Sequence, residues 1–528
     1  MRPFIAVGLL FLCAVATQAL HPIVIKGHKF FDSVTKTQFF IKGVAYQPRT
    51  NNALIDPLAD ASACVRDAAL MSKLGLNVVR VYEIDPKKNH DACMKAFADV
   101  GLYILLDIAT PKFSINREAP EYDVGLYSAY KATVDVFAKY DNMLAFIAGN
   151  EVTNNNTNTL ASAFVKAAVR DIRRYIQSSQ KRYIPVGYAS NDDADVRLPL
   201  KDYFNCGKAE EQNMYGIDFD QVDFYGVNLY EWCGDSTFDK SGFAERTREF
   251  ANYSKPVFLS EYGCNLVSPR PFGEVEAIYG PQMTEVWSGG VVYEWTQENN
   301  NYGLVQLGGS AATTALLPDY TNLQNALARI NPKGIHMDAF DDPPRPAAAC
   351  PQTGMNWKAS AVLPPTPSET ACQCMQDSLV CTASDKVSNT AQDDNNSNSN
   401  PLGAQLDMMC GVVACQAIST DAAQGRYGSF SFCSPKEKLS WLYHLYAKKH
   451  KGACDFEGHA VKATPKQQQK SAETCAQMID DPSSPSSHGG GANSGKDGDN
   501  PTGGSILHKP TRLFLFLSSL SLPLLFYP

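Results

Sequence analysis

Eight short runs of β-branched and aromatic residues recur between His21 and about Asp341, and stretches with helical apolar spacing separate most of them. The runs are 39–46 (FFIKGVAY), 77–82 (NVVRVY), 103–108 (YILLDI), 143–149 (MLAFIAG), 184–189 (IPVGYA), 223–230 (DFYGVNLY), 256–262 (PVFLSEY) and 289–295 (GGVVYEW). Helical patterns cover 61–74, 90–99, 124–140, 159–178 and 242–252. Such alternation over roughly 250–320 residues is the signature of a (β/α)8 barrel, because a parallel strand can be reached from its neighbour only through a long crossover. A doubly wound open sheet is the competing architecture. It would normally carry a glycine-rich phosphate loop after its first strand, and here that strand runs into QPRTNN. The fold class expected is therefore α/β: a TIM barrel over 20–342, followed by a small disulfide-rich α+β domain.

The ends of the chain and its cysteines point to an exported protein. Residues 1–19 carry Arg2, an apolar run from Pro3 to Ala16 and a small-residue Thr17-Gln18-Ala19 end, the pattern of a cleaved secretory signal. Residues 513–528 are apolar to the last residue and follow a polar Gly/Ser/Asn-rich stretch, which is the order of a glycosylphosphatidylinositol (GPI) attachment signal. That predicts a removed tail over 506–528, a stalk over 481–505 and a membrane-anchored product, with Asn493, Ser494 and Gly503 all open as the attachment residue. Fifteen Cys less Cys13 leaves an even number; six (Cys64, Cys93, Cys206, Cys233, Cys264, Cys350) precede residue 351 and eight (Cys372, Cys374, Cys381, Cys410, Cys415, Cys433, Cys454, Cys475) come after it. Even counts in both halves suit two separately cross-linked domains in an oxidising compartment. Zinc is the rival use of clustered Cys, but no paired C-x-x-C spacing is present, so no metal is expected. Residues 343–368 are Pro-rich and read as a linker, 369–480 as the cysteine-rich module, with a loop at 386–401 and a helix at 437–450. Asn155, Asn252 and Asn395 sit in glycosylation sequons. With 47 basic and 55 acidic residues the net charge is −8 and no basic stripe occurs, so nucleic acid is not an expected partner.

Barrel active sites lie where the strands end. The fourth run ends in Gly149-Asn150-Glu151 and the seventh in Ser260-Glu261-Tyr262-Gly263, so two carboxylates arrive at one rim from nearly opposite strands. Retaining glycoside cleavage needs one carboxyl to protonate the leaving oxygen and another, about 5–5.5 Å away, to attack the anomeric carbon. Glu151 as acid would need a raised pKa, while Glu261 must stay ionised as nucleophile; Asn150 is placed to bind a sugar 2-hydroxyl. The bland alternative is that both Glu make ordinary rim ion pairs. Against it stand the other residues at strand ends: Tyr46 and Gln47, Tyr82 and Glu83, Asp107, Asn228 and Tyr230, Tyr293 and Glu294. Together these suit a carbohydrate groove, whereas each Tyr alone would pass as a packed barrel aromatic.

The motifs G-V-A-Y-Q-P (43–48), R-V-Y (80–82), L-L-D ending at Asp107, A-G-N-E (148–151), G-V-N-L-Y-E-W-C-G (226–234), F-L-S-E-Y-G-C (258–264) and V-Y-E-W (292–295) occur together and in order. Over about 22–350 the chain resembles the fungal GPI-anchored β-1,3-glucanosyltransferases, glycoside hydrolase family 72. The resemblance implies Glu151 as acid/base and Glu261 as nucleophile, with Gln47, Tyr82, Asp107, Asn150, Tyr230 and Tyr293 lining the subsites. It also implies the disulfides Cys64–Cys93, Cys233–Cys264 and Cys206–Cys350. The second domain is similar to the cysteine-rich glucan-binding module of family 43, an X8-like domain, through C-G-V-V-A-C (410–415), G-R-Y-G-S-F-S-F-C (425–433) and K-L-S (438–440). That analogy implies Cys372–Cys433, Cys374–Cys475, Cys381–Cys454 and Cys410–Cys415, although eight Cys allow 105 pairings. Asp421-Ala422-Ala423 and the Asn-rich insertion before Cys410 depart from the module's pattern, so glucan binding and a purely bracing role both stay open.

The function expected is that of an enzyme that cuts inside a β-1,3-glucan donor and passes the new reducing end to the non-reducing end of an acceptor glucan, at the outer face of the plasma membrane and in the cell wall. No cofactor is expected, because a glycosyl-enzyme retains the energy of the broken linkage. Hydrolysis would use the same intermediate, which leaves an endo-1,3-β-glucanase as the alternative. A non-catalytic wall-binding or structural protein is the reading from another class.

Overall fold

The computed structural model describes residues 20–50, 53–207, 218–308, 314–341, 345–387, 401–464 and 474–475. Eight parallel strands close a barrel: β1 (Ile41–Tyr46), β2 (Val78–Val81), β3 (Tyr103–Asp107), β4 (Met143–Asn150), β5 (Val186–Ser190), β6 (Phe224–Asn228), β7 (Val257–Tyr262) and β8 (Trp287–Val292), with β8 pairing back onto β1. Each is followed by a helix: α1 (Ala61–Lys73), α2 (Asp91–Asp99), α3 (Val124–Phe137), α4 (Ala161–Ser179), α5 (Arg197–Asn205), α6 (Phe243–Phe250), α7 (Glu274–Ile278) and α8 (Pro318–Ala328). The barrel expected from the alternation is therefore present.

Strand parity sorts the core into two layers. On β2, Val79 and Val81 pack outward among the helices, while Val78 faces the barrel interior with Leu105 of β3 and Ile147 of β4. Helix starts are marked by side chains that satisfy free backbone N–H groups: Asp60 accepts from Ser62 and Ala63, and Asp123 from Leu126. An antiparallel hairpin, Ile23–Lys26 with Lys29–Asp32, sends Phe30 against Phe224 and Phe258 at the amino-terminal ends of β6 and β7.

Several elements differ from the sequence reading. β8 begins at Trp287, two residues before the expected run, where Trp287 pairs with Val257 of β7; Gly289 lets β1 approach closely, since a Cβ there would sit 2.1 Å from the Ile41 carbonyl oxygen. Helix α5 was hidden by Pro199 in its first turn, and α7 is only 5 residues long, too short to show a period.

The second domain contains α9 (Glu369–Asp377), α10 (Pro401–Cys410) and α11 (Pro435–Lys449), with a two-stranded sheet of Cys381–Ala383 and Ala460–Lys462. Disulfides join Cys64–Cys93, Cys206–Cys350 and Cys233–Cys264 in the barrel segment, and Cys372–Cys433, Cys374–Cys475, Cys381–Cys454 and Cys410–Cys415 in the second domain. The Pro-rich segment between them is a strap. Trp357 and Ala359 are buried in the barrel's helix layer, Ser360 donates to the Ala422 carbonyl, and the Thr366 hydroxyl donates to Asp171 of α4. Barrel and module also meet directly, where the Val124 amide donates to the Phe432 carbonyl at 2.9 Å. No helix among the described residues is long and apolar enough to cross a membrane. The signal at 1–19, the expected attachment residues Asn493, Ser494 and Gly503, the tail and the Asn395 sequon lie outside the described residues.

Candidate active site

Glu151 follows the last residue of β4 in the left-handed region, at φ 49°, a conformation that a non-glycine side chain rarely adopts. Its amide donates to the Ala189 carbonyl of β5 at 2.8 Å, and its own carbonyl accepts from Arg117 at 2.8 Å, so the peptide is held on both sides. Gly149 lets the turn sit close to the barrel wall, since a Cβ there would lie 3.1 Å from Val152 and Val165. Glu261 is the penultimate residue of β7 and stands in register with Asn228 of β6.

One polar network joins both acids. Asn228 Nδ2 donates to Glu151 at 2.8 Å and to Asn150 Oδ1 at 3.1 Å, while its Oδ1 accepts from Ser260 Oγ at 2.7 Å. Arg80, fully buried in the barrel interior, donates to Asp107 at 3.1 and 2.9 Å, to Asn150 Oδ1 at 3.0 Å, to the Ser260 carbonyl at 3.0 Å and to Glu261 at 3.2 Å. Tyr82 and Tyr230 complete the shell of Glu261, donating from their hydroxyls at 3.0 and 2.8 Å. Burial works against the Arg80 charge, yet Asp107, Tyr82 and Glu261 outweigh it and hold the guanidinium above its ordinary range.

Glu261 departs from the expectation that it simply stays ionised. Burial pushes its carboxyl up to about 7 and the Glu151 charge adds to that push, while Arg80, Tyr230 and Tyr82 work the other way. The physical reason is position: a carboxylate only 7% exposed loses most of its water, and that loss is invisible in a strand motif.

Tyr230, Tyr293 and Tyr302 form an aromatic wall beside Glu261, with centroid separations of 6.3, 5.8 and 5.2 Å. Gln47 donates to the Tyr293 hydroxyl and to Glu294, the latter at 2.9 Å. Asp107 lies beneath this surface with both oxygens accepting from Arg80. Tyr46 does not belong to the groove as expected. Strand parity turns it outward, where its hydroxyl donates to Asp67 of α1 at 2.8 Å. Glu83 also stands apart from the network; burial pushes it up to about 7, and the charges acting on it are those of Asp56, Asp85, Lys112 and Lys88.

Arg80, Ser260 and Tyr302 are the residues that sequence reasoning passed over. The available signal was the R-V-Y run: a charged residue with the same parity as inward-facing Val78 must find partners inside the barrel. The three described residues grouped closely enough for a metal are Cys372, Cys433 and Glu437, but both sulfurs form one disulfide and offer no thiolate. Asn252 is exposed; the Asn155 side chain is half-buried and accepts from Thr157.

A family model described as Glucanosyltransferase matches residues 12–331, and an X8 domain model matches residues 380–461. The chain belongs to the glucanosyltransferase family. It is 44% identical over 497 residues to a 1,3-beta-glucanosyltransferase of Arthroderma benhamiae, covering 88% of this chain and 87% of that one. Against 1,3-beta-glucanosyltransferase GAS2 of Saccharomyces cerevisiae the identity is 43% over 451 residues, covering 81% and 76%. The solved structure of Saccharomyces cerevisiae Gas2p in complex with laminaripentaose superposes with a TM-score of 0.75 at 42% identity, covering 84% of this chain and 97% of that one. In this glucanosyltransferase the family match spans the barrel strands that carry Glu151 and Glu261.

Proposed function

We propose that the chain cleaves an internal β-1,3-glucosidic bond and transfers the new reducing end to the non-reducing 3-hydroxyl of a second glucan. The observation that carries the mechanism is the unequal treatment of two neighbouring carboxyls. Glu261 receives a guanidinium and two phenol hydroxyls, whereas Glu151 receives the Asn228 amide. Those three donors stabilise the attacking Glu261 carboxylate against the burial that opposes its charge. Glu261 then attacks the anomeric carbon as Glu151 protonates the leaving oxygen, and the leaving glucan departs with its new non-reducing end. Glu151, now a carboxylate, takes the proton of the acceptor hydroxyl as its oxygen displaces Glu261, so configuration is retained.

Further parts of the reading rest on the sequence. Gln47, Tyr82, Asn150, Tyr230 and Tyr293 line the donor and acceptor subsites, with Asp107 acting through Arg80. The X8 domain braces the barrel, which the strap and the Val124–Phe432 bond support. A GPI anchor holds the enzyme at the outer face of the plasma membrane, next to the wall glucan it lengthens. The test is product sizing from a reduced laminari-oligosaccharide with wild type, Glu151→Gln and Glu261→Gln. Products longer than the substrate, lost in both variants, are expected; only shorter products would leave a plain endo-glucanase.

A further inference from the structure

Glu294 is fully buried on the loop that leaves β8, one residue beyond Tyr293, and it has no part in the double displacement. Its two oxygens are divided between two amides: Oε2 accepts from Gln47 Nε2 at 2.9 Å and Oε1 accepts from Asn300 Nδ2 at 2.8 Å. Its backbone amide donates to the Tyr302 carbonyl at 3.1 Å, so the same residue ties down the turn that carries Tyr302 into the aromatic wall. Burial outweighs these two amide donors and pushes the Glu294 carboxyl up to about 7.

An amide nitrogen has two hydrogens, and those of Gln47 go to Glu294 and to the Tyr293 hydroxyl. An ionised carboxylate can only accept, so Gln47 cannot turn its amide over without aiming a carbonyl oxygen at Glu294. Its Oε1 takes no hydrogen bond among the described residues. The Tyr293 oxygen, accepting from Gln47, keeps its own proton to give. Tyr293 in turn packs 6.3 Å from Tyr230, whose hydroxyl holds Glu261.

We propose that Glu294 is a positioning residue that sets the polarity of the Gln47 amide, so that this point of the groove offers a carbonyl acceptor and recognises a glucan hydroxyl by its proton. This rests on the glucan-transfer reading above. Glu294→Gln keeps the shape but places an amide with one acceptor and one donor end between two donors, so Gln47 or Asn300 must rotate. Asn300→Asp in the same chain repairs the pattern: the introduced carboxylate takes the new donor, the carbonyl end is left for Gln47, and the net charge returns to that of wild type.

The test is steady-state transfer from a laminari-oligosaccharide donor at about pH 8.5, well above the value of about 7 to which burial pushes Glu294, with thermal unfolding recorded for each variant. Glu294→Gln is expected to raise KM about tenfold or more with kcat within about twofold, and Glu294→Gln with Asn300→Asp to bring KM back. A merely structural carboxylate would instead give Glu294→Gln a shifted Tm with unchanged KM. An unchanged KM, or a folded Glu294→Gln, Asn300→Asp variant with KM as high as the single one, overturns the proposal. Absence of transfer by the wild type would instead overturn the functional reading beneath it.

Discussion

Arg80 is the residue on which the geometry of the two acids turns. A charge inside a barrel is tolerated only where partners neutralise it, and Arg80 meets Asp107 with two bonds before it reaches Asn150 and Glu261. A lysine carries the charge but not the planar fork that serves these acceptors together. Arg80→Lys is therefore expected to lower kcat on the order of 100-fold through misplacement of Glu261 and Asn150, read from initial transfer rates at saturating donor. A second prediction concerns coupling between the acids. In Glu151→Gln the like charge that helps push Glu261 up to about 7 is gone, so the Glu261 carboxylate forms at lower pH. With a laminarioligosaccharyl fluoride, whose leaving group needs no proton, the acid limb of glycosylation should move below that of the wild type; an unmoved limb would show that the two carboxyls do not sense each other. At this scale the sequence names the acids, because each sits in a motif at a strand end. It does not reveal the Arg80 contacts, which depend on which strand neighbours which, or the titration of Glu261, which depends on burial.

At the scale of elements, a disulfide joins two rim loops and the strap packs on the helix layer. The Cys233–Cys264 disulfide ties the loop after β6, which carries Tyr230, to the loop after β7, just beyond Glu261. In the helix layer, the strap lays Trp357 against Tyr203 of α5 at a centroid distance of 4.9 Å, with its indole N–H donating to the Ala359 carbonyl at 3.0 Å. Trp357 is only 3% exposed, so Trp357→Ala opens a cavity expected to cost about 3–5 kcal/mol, measurable by guanidinium unfolding of the purified protein. A segment that merely linked two domains would lose far less. The proline-rich composition of 343–368 suggested a spacer because proline spacing reports local stiffness; that Trp357 and Ala359 pack into the helix layer is a property of the surface beneath them.

For the whole molecule, buried carboxyls set how stability responds to pH. Burial pushes Glu83, Glu231, Glu261, Glu274 and Glu294 up to about 7, so each binds its proton more tightly folded than unfolded. The stability they contribute is complete below the unfolded value of about 4.5 and is lost as pH rises through about 7. His444 acts in the opposite sense: burial lowers it to about 4, so its contribution is present above about 6.5 and lost as pH falls. Five groups against one predict a Tm that falls between about pH 5 and about pH 7, below the range in which Lys166, lowered by burial to about 8, acts in the opposite sense; a scan with Tm rising from about pH 5 to about pH 7 would contradict it. The amino-acid order by itself determined the barrel, since eight strand runs separated by crossover-length segments leave few ways to satisfy parallel backbone pairing, and it marked Glu151 and Glu261 by their place at strand ends. Only the tertiary structure decided that Tyr46 faces a helix, that Arg80 of β2 reaches β3, β4 and β7, and that Glu294 accepts from an amide 247 positions away. Those outcomes come from register and burial, and both arise only once distant strands are side by side.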